Sequence, residues 1–437
     1  MSFDQTVALV VLVGVVAGLV RGKWRPDVVA LAGAATLLAT GVIRPVEVQA
    51  AFASPAIIAL ASLFVIAYAI ELSGMLSLLI RSATWLCARM GSAGLWVVIG
   101  LCGFSSAFLN NTPIVVLGAP VVRDVSRTLN MSPQRFLIPL SYATVLAGSC
   151  TLIGTSTNLL VNDMARNAGQ PTFGLFEITP AAAVVAAAGL LYLVFAAGRL
   201  LTKTPPTEAD RKTVQALGEH QPHDDASLGD ADMFTLDRPL DVNKALAAMA
   251  VFTGVVIVAA LGLAPIAAAA FAGAVLLIVL RVIGVEDAYR GLKPDVLLLI
   301  AGMVVVGLSL EITGLAASAT GLLIDVIRPL GPLAALIILY GATLLLTEIL
   351  SNAAVAVLIT PIAVAMAESL GVDPRPFLVA VMLAASLAFA TPFGYQTNVL
   401  VFQMGRYRYM DFVRIGVPLN LLTWAVAAAV IPMVFPF

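Results

Sequence analysis

Asparagine, threonine, serine and glycine gather at four places in a chain that is otherwise oily. Two of them are Leu109-Asn110-Asn111-Thr112-Pro113 and Gly154-Thr155-Ser156-Thr157-Asn158. The other two are Leu350-Ser351-Asn352-Ala353-Ala354 and Gly394-Tyr395-Gln396-Thr397-Asn398. Asn111 and Asn352 lie 241 positions apart, and Asn158 and Asn398 lie 240 apart. Amides, hydroxyls and free backbone groups are costly in hydrocarbon unless they line a cavity or a ligand. Two clusters per half, in register, point to one binding site shared by two repeats.

The chemistry these residues suit is ion binding. A helix is expected to begin at Asn111-Thr112-Pro113, because Asn or Thr suits the cap and Pro the first turn. Ser351-Asn352-Ala353 repeats that start. Two helix N-termini that converge make an anion site without Lys or Arg. Thr155, Thr157, Asn158, Thr397 and Asn398 supply further hydroxyl and amide groups beside it. Carbonyl, amide and hydroxyl oxygens of unwound backbone also suit a small hard cation such as Na⁺. Glu348 precedes Ser351 by three residues, where the first half has Ala107. It either couples protons or pairs with a backbone cap. Glu71 and Glu311, each shortly before a glycine, either carry ions or mark span ends.

The 437 residues are 60% hydrophobic and 11% charged, with mean hydropathy +1.01. Soluble domains average about 25% charged, so this reads as an all-α integral membrane protein of many spans. The net charge of −1 leaves no nucleic-acid footprint. No Ser-His-Asp, HExxH, Walker or GxGxxG pattern appears, so neither an enzyme nor a cofactor is expected. Cys87, Cys102 and Cys150 sit in apolar context without metal-ligand spacing.

Positioning these clusters requires two repeats. Residues 1–202 form the first and 242–437 the second, joined by an acidic linker at 203–241. Glu71-Leu72-Ser73-Gly74 matches Glu311-Ile312-Thr313-Gly314 at a spacing of 240. Short apolar runs meet at the Asn tips, 94–126 in one half and 331–368 in the other. A run of 16 helical residues rises roughly 24 Å, less than a bilayer core, so each pair reads as a re-entrant hairpin. Runs 135–166 and 376–405 are interrupted by Gly, Thr and Asn and read as discontinuous helices. Five crossings and one hairpin per half invert the second half relative to the first.

Charge supports that topology. With both termini outside, only Arg44, Arg166, Arg328 and Arg375 of the 24 basic residues fall outside. The others face the cytoplasm, as the positive-inside rule requires. The linker, with Glu208, Asp224, Asp225, Asp230 and Asp232, is then a cytoplasmic connector, and a regulatory role for it is the lesser reading.

LNNTP at 109–113, GTSTN at 154–158, LSNAA at 350–354, GYQTN at 394–398 and DFVRIGVPLN at 411–420 together resemble the divalent anion/sodium symporter family. The likeness covers nearly the whole chain and is nearest to its sulfate-permease-like branch. It implies a multi-pass protein of the cell membrane, a bacterial inner membrane, working as a homodimer by an elevator-like movement. It implies one sodium near Ser106, Asn110, Asn111 and Gly154, and a second near Thr347, Leu350, Asn352 and Gly394. The anion, an inorganic or organic dianion, would touch Asn111, Thr112, Ser351 and Asn352. Family members show Ser-Asn-Thr tips and proline-rich loops, whereas this chain has Asn-Asn-Thr, Ser-Asn-Ala, Thr-Ser-Thr and Tyr-Gln-Thr. The departure turns the expected substrate from dicarboxylate toward sulfate. A cation/proton antiporter and a non-transporting anion receptor remain as alternatives.

Single cysteines placed in 163–176 should react with an impermeant thiol reagent added to intact cells, and cysteines in 203–241 should not. Labelling of the linker from outside would overturn the charge-based topology.

Overall fold

The computed structural model describes residues 2–21, 24–75, 85, 89–109, 111–201, 240–315, 318, 331–392 and 394–437. Asn110 and nearly all of the 203–241 linker lie outside these. Among the described residues the chain is helical and forms no strand. Hydrocarbon explains this, since a helix satisfies its own backbone groups within one segment.

Among the described residues the helices fall into two series of nine. The first holds α1 (Phe3–Arg21), α2 (Pro26–Ala39), α3 (Pro45–Phe52), α4 (Pro55–Leu72), α5 (Ser92–Ser106), α6 (Asn111–Thr128), α7 (Gln134–Gly148), α8 (Ser156–Asn167) and α9 (Thr179–Leu200). The second holds α10 (Val242–Ala260), α11 (Ile266–Val279), α12 (Val285–Gly291), α13 (Pro294–Ile312), α14 (Gly331–Thr347), α15 (Asn352–Leu370), α16 (Arg375–Ser386), α17 (Gln396–Gly405) and α18 (Tyr409–Val434). Each series has the same order of long and short elements.

Local sequence sets the boundaries. Proline opens α2, α3, α4 and α13, where its missing N–H is no loss. α4 and α13 end alike, at Gly74 with φ +75° and Gly314 with φ +68°, a left-handed turn that favours glycine. Glu71 and Glu311 therefore stand in the last turns of α4 and α13. Two elements were not legible in the hydropathy pattern. α3 and α12 have 8 and 7 residues, too few to show as apolar runs.

Two lengths differ from expectation. α6 has 18 residues and α15 has 19, rises of about 27 and 28 Å, so shortness does not mark either as a hairpin arm. α15 is one of six segments among the described residues long and apolar enough to cross a membrane. The others are Pro45–Leu72, Thr179–Ala196, Val242–Ala260, Pro294–Ile312 and Tyr409–Val434.

Packing between the halves is reciprocal. α2 lies on α13 and α11 on α4, while α6 lies on α17 and α15 on α8. The same exchange holds for polar contacts. Gln5 Nε2 donates to the Thr313 carbonyl at 3.1 Å, and the Asp241 backbone N–H donates to the Ser73 carbonyl at 3.0 Å. α7 and α16 are buried along nearly their whole length and carry the interrupted segments at their ends. Outward faces are apolar, with Leu246, Phe271 and Val279 exposed, as suits lipid.

Close backbone approach fixes α18 against the second interruption. A Cβ on Gly416 would sit 1.8 Å from the Phe389 carbonyl oxygen. Gly416→Ala should therefore destabilise the protein by about 1–3 kcal/mol or more. Gly100→Ala, where a Cβ meets open space, serves as the control. Melting midpoints in detergent decide it, and equal midpoints would contradict the packing.

Candidate functional site

The four polar clusters come together where helices begin. α5 ends at Ser106 and α6 starts at Asn111, and α14 ends at Thr347 and α15 starts at Asn352. The chain leaves helical geometry after Gly148 and re-enters it at Ser156, then does so again between Ser386 and Gln396. The N-termini of α6, α8, α15 and α17 thus bring partly positive backbone ends to the tips and interrupted segments. Ser351 caps α15, its Oγ accepting from the Ala354 N–H at 3.3 Å.

Each tip bends so that a hydroxyl meets an amide oxygen five residues later. Ser106 Oγ donates to Asn111 Oδ1. Thr347 Oγ1 lies 2.8 Å from Asn352 Oδ1 and 3.0 Å from the Ala385 carbonyl oxygen. The first corner gathers more oxygen. A Cβ on Gly154 would meet the Gly148 carbonyl oxygen at 2.3 Å and the Ala107 carbonyl oxygen at 2.8 Å. A Cβ on Gly148 would sit 2.6 Å from Asn111 Oδ1. Both glycines therefore let oxygen-bearing backbone approach. Such corners, with no basic side chain among these contacts, have the donor set of a small hard cation.

The interrupted segments are held by their own side chains. Thr151 Oγ1 accepts from the Gly154 N–H at 3.1 Å, and Thr391 Oγ1 accepts from the Gly394 N–H at 2.9 Å. Thr151 also donates to the Ala107 carbonyl. Asn158 Nδ2 donates to the Ser149 and Thr151 carbonyls at 3.2 and 2.9 Å. Asn398 Nδ2 donates to the Ala388 and Thr391 carbonyls at 3.2 and 3.4 Å. Asn158 and Asn398 are fully buried, so both brace the unwound backbone. Thr157 and Thr397 are buried beside them, and Ser141 Oγ bonds both Thr397 Oγ1 and Asn398 Oδ1 at 2.7 Å. Thr155 is buried, with its Oγ1 3.4 Å from that of Thr157. Thr112, Ser351, Asn352 and Ala353 are half-buried at the tips, and Leu350 is buried behind them.

Glu348 joins three elements. Its carboxylate accepts from the Ala390 N–H at 2.7 Å, the Thr391 N–H at 3.0 Å and Asn420 Nδ2 at 2.8 Å. The second tip, second interruption and α18 are thereby tied at one side chain. Of the two sequence readings, the geometry favours the backbone partner.

Sequence reasoning missed Ser141, Asn420 and the Thr151–Thr391 pair. The last was visible, since both stand three residues before the matched glycines. It also missed a crossing between the halves. Asn111 Nδ2 donates to Tyr395 Oη at 2.9 Å, and Thr112 Oγ1 to Gln396 Oε1 at 3.2 Å. Beside this crossing lies a cavity of about 40 Å³, bounded by Phe64, Phe108, Gly154, Thr155, Ser156 and Tyr395, among others.

A family model described as a citrate transporter matches residues 15–374. The chain belongs to the citrate transporter family. It is similar to an uncharacterised transporter of Synechocystis sp., 26% identical over 92% of each chain. Sodium/sulfate cotransporter 1 of Chlamydomonas reinhardtii is 35% identical over 36% of this chain and 18% of its own length. The sodium-dependent dicarboxylate transporter SdcS of Staphylococcus saprophyticus is 25% identical over 90% of this chain and 79% of its own. The protein is thus a multi-pass membrane transporter and not an enzyme, as its family and relatives indicate.

If Glu348 holds the second interruption, Glu348→Gln removes one acceptor facing an N–H donor. The variant should lose about 1.5–3 kcal/mol of stability, seen as a lower melting midpoint together with slower uptake. A wild-type midpoint with altered proton dependence would instead mark Glu348 as a proton carrier.

Proposed function

We propose that this transporter is a sodium-coupled symporter of a small dianion, sulfate-like before dicarboxylate. The observation that carries it is the matched pair of corners, Ser106 with Asn111 and Thr347 with Asn352. Each corner places cation-type oxygens on the same asparagine that opens a helix. A cation held there fixes the tip, and the adjoining backbone N–H groups bind the anion. Each tip asparagine is thus shared by ion and substrate, which is how one gradient drives the other solute. The first sodium sits among Ser106, Asn111 and Gly154, with Asn110 adjacent, and the second among Thr347, Leu350, Asn352 and Gly394.

The halves are inverted repeats with re-entrant tips and interrupted spans. Reciprocal packing supports this, as do the ends of the matched helices α7 and α16. Gln134, at the start of α7, donates to the Gly405 carbonyl at 3.0 Å, whereas Arg375, at the start of α16, pairs with Glu177. Equivalent starts thus meet different halves' segments at basic-rich and basic-poor ends of the chain's topology. Both termini face outside, the 203–241 linker faces the cytoplasm, and the tip domain moves by an elevator within a homodimer. Relatives named for sodium/sulfate and sodium-dependent dicarboxylate transport support the coupling ion and the substrate class.

Ser106→Ala and Thr347→Ala should raise the Na⁺ concentration for half-maximal uptake about 5- to 30-fold, the effect of 1–2 kcal/mol. Anion affinity at saturating Na⁺ should change less. Asn111→Ala and Asn352→Ala should weaken both. Initial uptake rates in proteoliposomes measure this. Uptake by the unaltered protein that ignores Na⁺ and follows the proton gradient would defeat the assignment.

A further inference from the structure

The two halves carry matched helices, yet the tip helices do not meet α4 and α13 alike. α15 and α8 both lie on α13. Their repeat counterparts, α6 and α17, have no such packing against α4 among the described residues. Register makes the comparison residue by residue. α4 matches α13 and α8 matches α17 at a spacing of 240, and α6 matches α15 at 241. Gly307 on α13 therefore corresponds to Ala67 on α4, Met164 to Met404, and Val357 to Val116. The first member of each pair is buried and the second half-buried. Met303, one turn before Gly307, is also buried, and its counterpart Leu63 is half-buried.

Contact at Gly307 is close. A Cβ there would sit 2.5 Å from Val357 Cγ1, 3.0 Å from Met164 Cε and 3.2 Å from the Val357 carbonyl oxygen. Valine is stiff at χ1, and a packed core does not absorb an added methyl without backbone shifts. The glycine thus lets α15 and α8 settle on α13. The matching place on α4 borders space instead. Leu63 and Ala67 line the cavity of about 40 Å³ together with Phe108, Leu109 and Gly154 of the first tip and interruption. Ala67 carries the methyl that Gly307 lacks.

We propose that Gly307 and Ala67 are two seats for the moving tip domain, filled in turn, and that their inequality biases the transporter toward one end state. In the charge-based topology α8 and α15 run from the midplane to the outside, and α6 and α17 run to the cytoplasm. This structure is then the outer-closed state, with the tip domain on Gly307 and a gap at Ala67 on the cytoplasmic side. In the opposite state Met404 and Val116 come onto Ala67, while Met164 and Val357 leave Gly307. The glycine seat admits the closer approach and so the better dispersion contact, which favours the outer-closed state. Both are positioning residues, since they act through the packing of the tip helices. The inference goes beyond the elevator reading and rests on it.

The test is side-specific thiol labelling of the full chain in vesicles, with Cys87, Cys102 and Cys150 replaced by Ala. Single cysteines are placed at Leu63 and at Met303. With the natural seats, Leu63→Cys should react with an impermeant reagent from the cytoplasmic side, and Met303→Cys should react slowly from outside. Gly307→Ala overpacks the filled seat. It should slow the first reaction and speed the second, moving their ratio about fivefold or more. Adding Ala67→Gly should move the ratio further the same way. Ala67→Leu grows into open space, so the melting midpoint should hold while Met303→Cys becomes less reactive and uptake slows. If Gly307→Ala does not fold, Ala67→Gly and Ala67→Leu carry the test, with opposite effects on Met303→Cys.

A ratio unmoved by Gly307→Ala in folded protein overturns the proposal. So does an Ala67→Leu variant with the natural Met303→Cys rate. Leu63→Cys that reacts only from outside overturns the assignment of the state, and the bias with it. Labelling needs neither Na⁺ nor anion. Unaltered protein without Na⁺-driven anion uptake therefore defeats the symport reading, while a shifted labelling ratio still supports the two seats.

Discussion

Backbone that leaves helical geometry inside a hydrocarbon slab must find partners for its N–H and C=O groups. The rest of this structure depends on how the segments at 149–155 and 387–395 meet that demand. Asn158 and Asn398 each send one amide to two carbonyls, and Thr151 and Thr391 each receive a glycine N–H. With those groups satisfied from behind, the helix starts at Ser156 and Gln396 can face the tips. The second segment has an added support that the first lacks, the Glu348 carboxylate, which takes two backbone N–H groups and Asn420. In the first half Ala107 stands in its place, and its carbonyl takes the Thr151 hydroxyl. The halves therefore reach the same backbone shape by different chemistry.

This inequality extends to the space between the tips. A strictly symmetric pair of loops would present Thr and Ser from both sides. Here the second loop presents a phenol and a carboxamide, which bond the first tip directly. The crossing between the halves is therefore made by side chains that only the second loop carries.

Much of this was legible in the residues. Register at 240 and 241 placed the tips, the interrupted segments and the Ser106 and Thr347 hydroxyls, because polar residues in an oily chain stand out and a repeat doubles the signal. The bend that brings each hydroxyl to its asparagine was not legible from helix geometry, since five residues span about one and a half turns. Asn158 and Asn398, read from the sequence as anion ligands, turn their amide N–H groups to the loop carbonyls. An asparagine in a polar motif looks the same whether it faces a ligand or holds the loop behind it, and only burial and partners separate the two. Ser141 sits on a buried helix outside the motifs, and Asn420, though it closes the DFVRIGVPLN stretch, has no repeat partner in the polar clusters to mark it for a role. α3 and α12 were hidden by their brevity.

Reciprocal packing bears on how the molecule is made. α2 and α4 have their main partners in α13 and α11, which follow more than 200 positions later. At 5–20 residues per second, a delay of 240 residues is about 12–48 s of synthesis. For that interval the first half sits in the bilayer with faces shaped for helices that do not yet exist. Its final arrangement is then completed after insertion, by docking of the second half, and long-range contacts of this kind close late. The ribosome delivers two halves, and the membrane is where they become one protein.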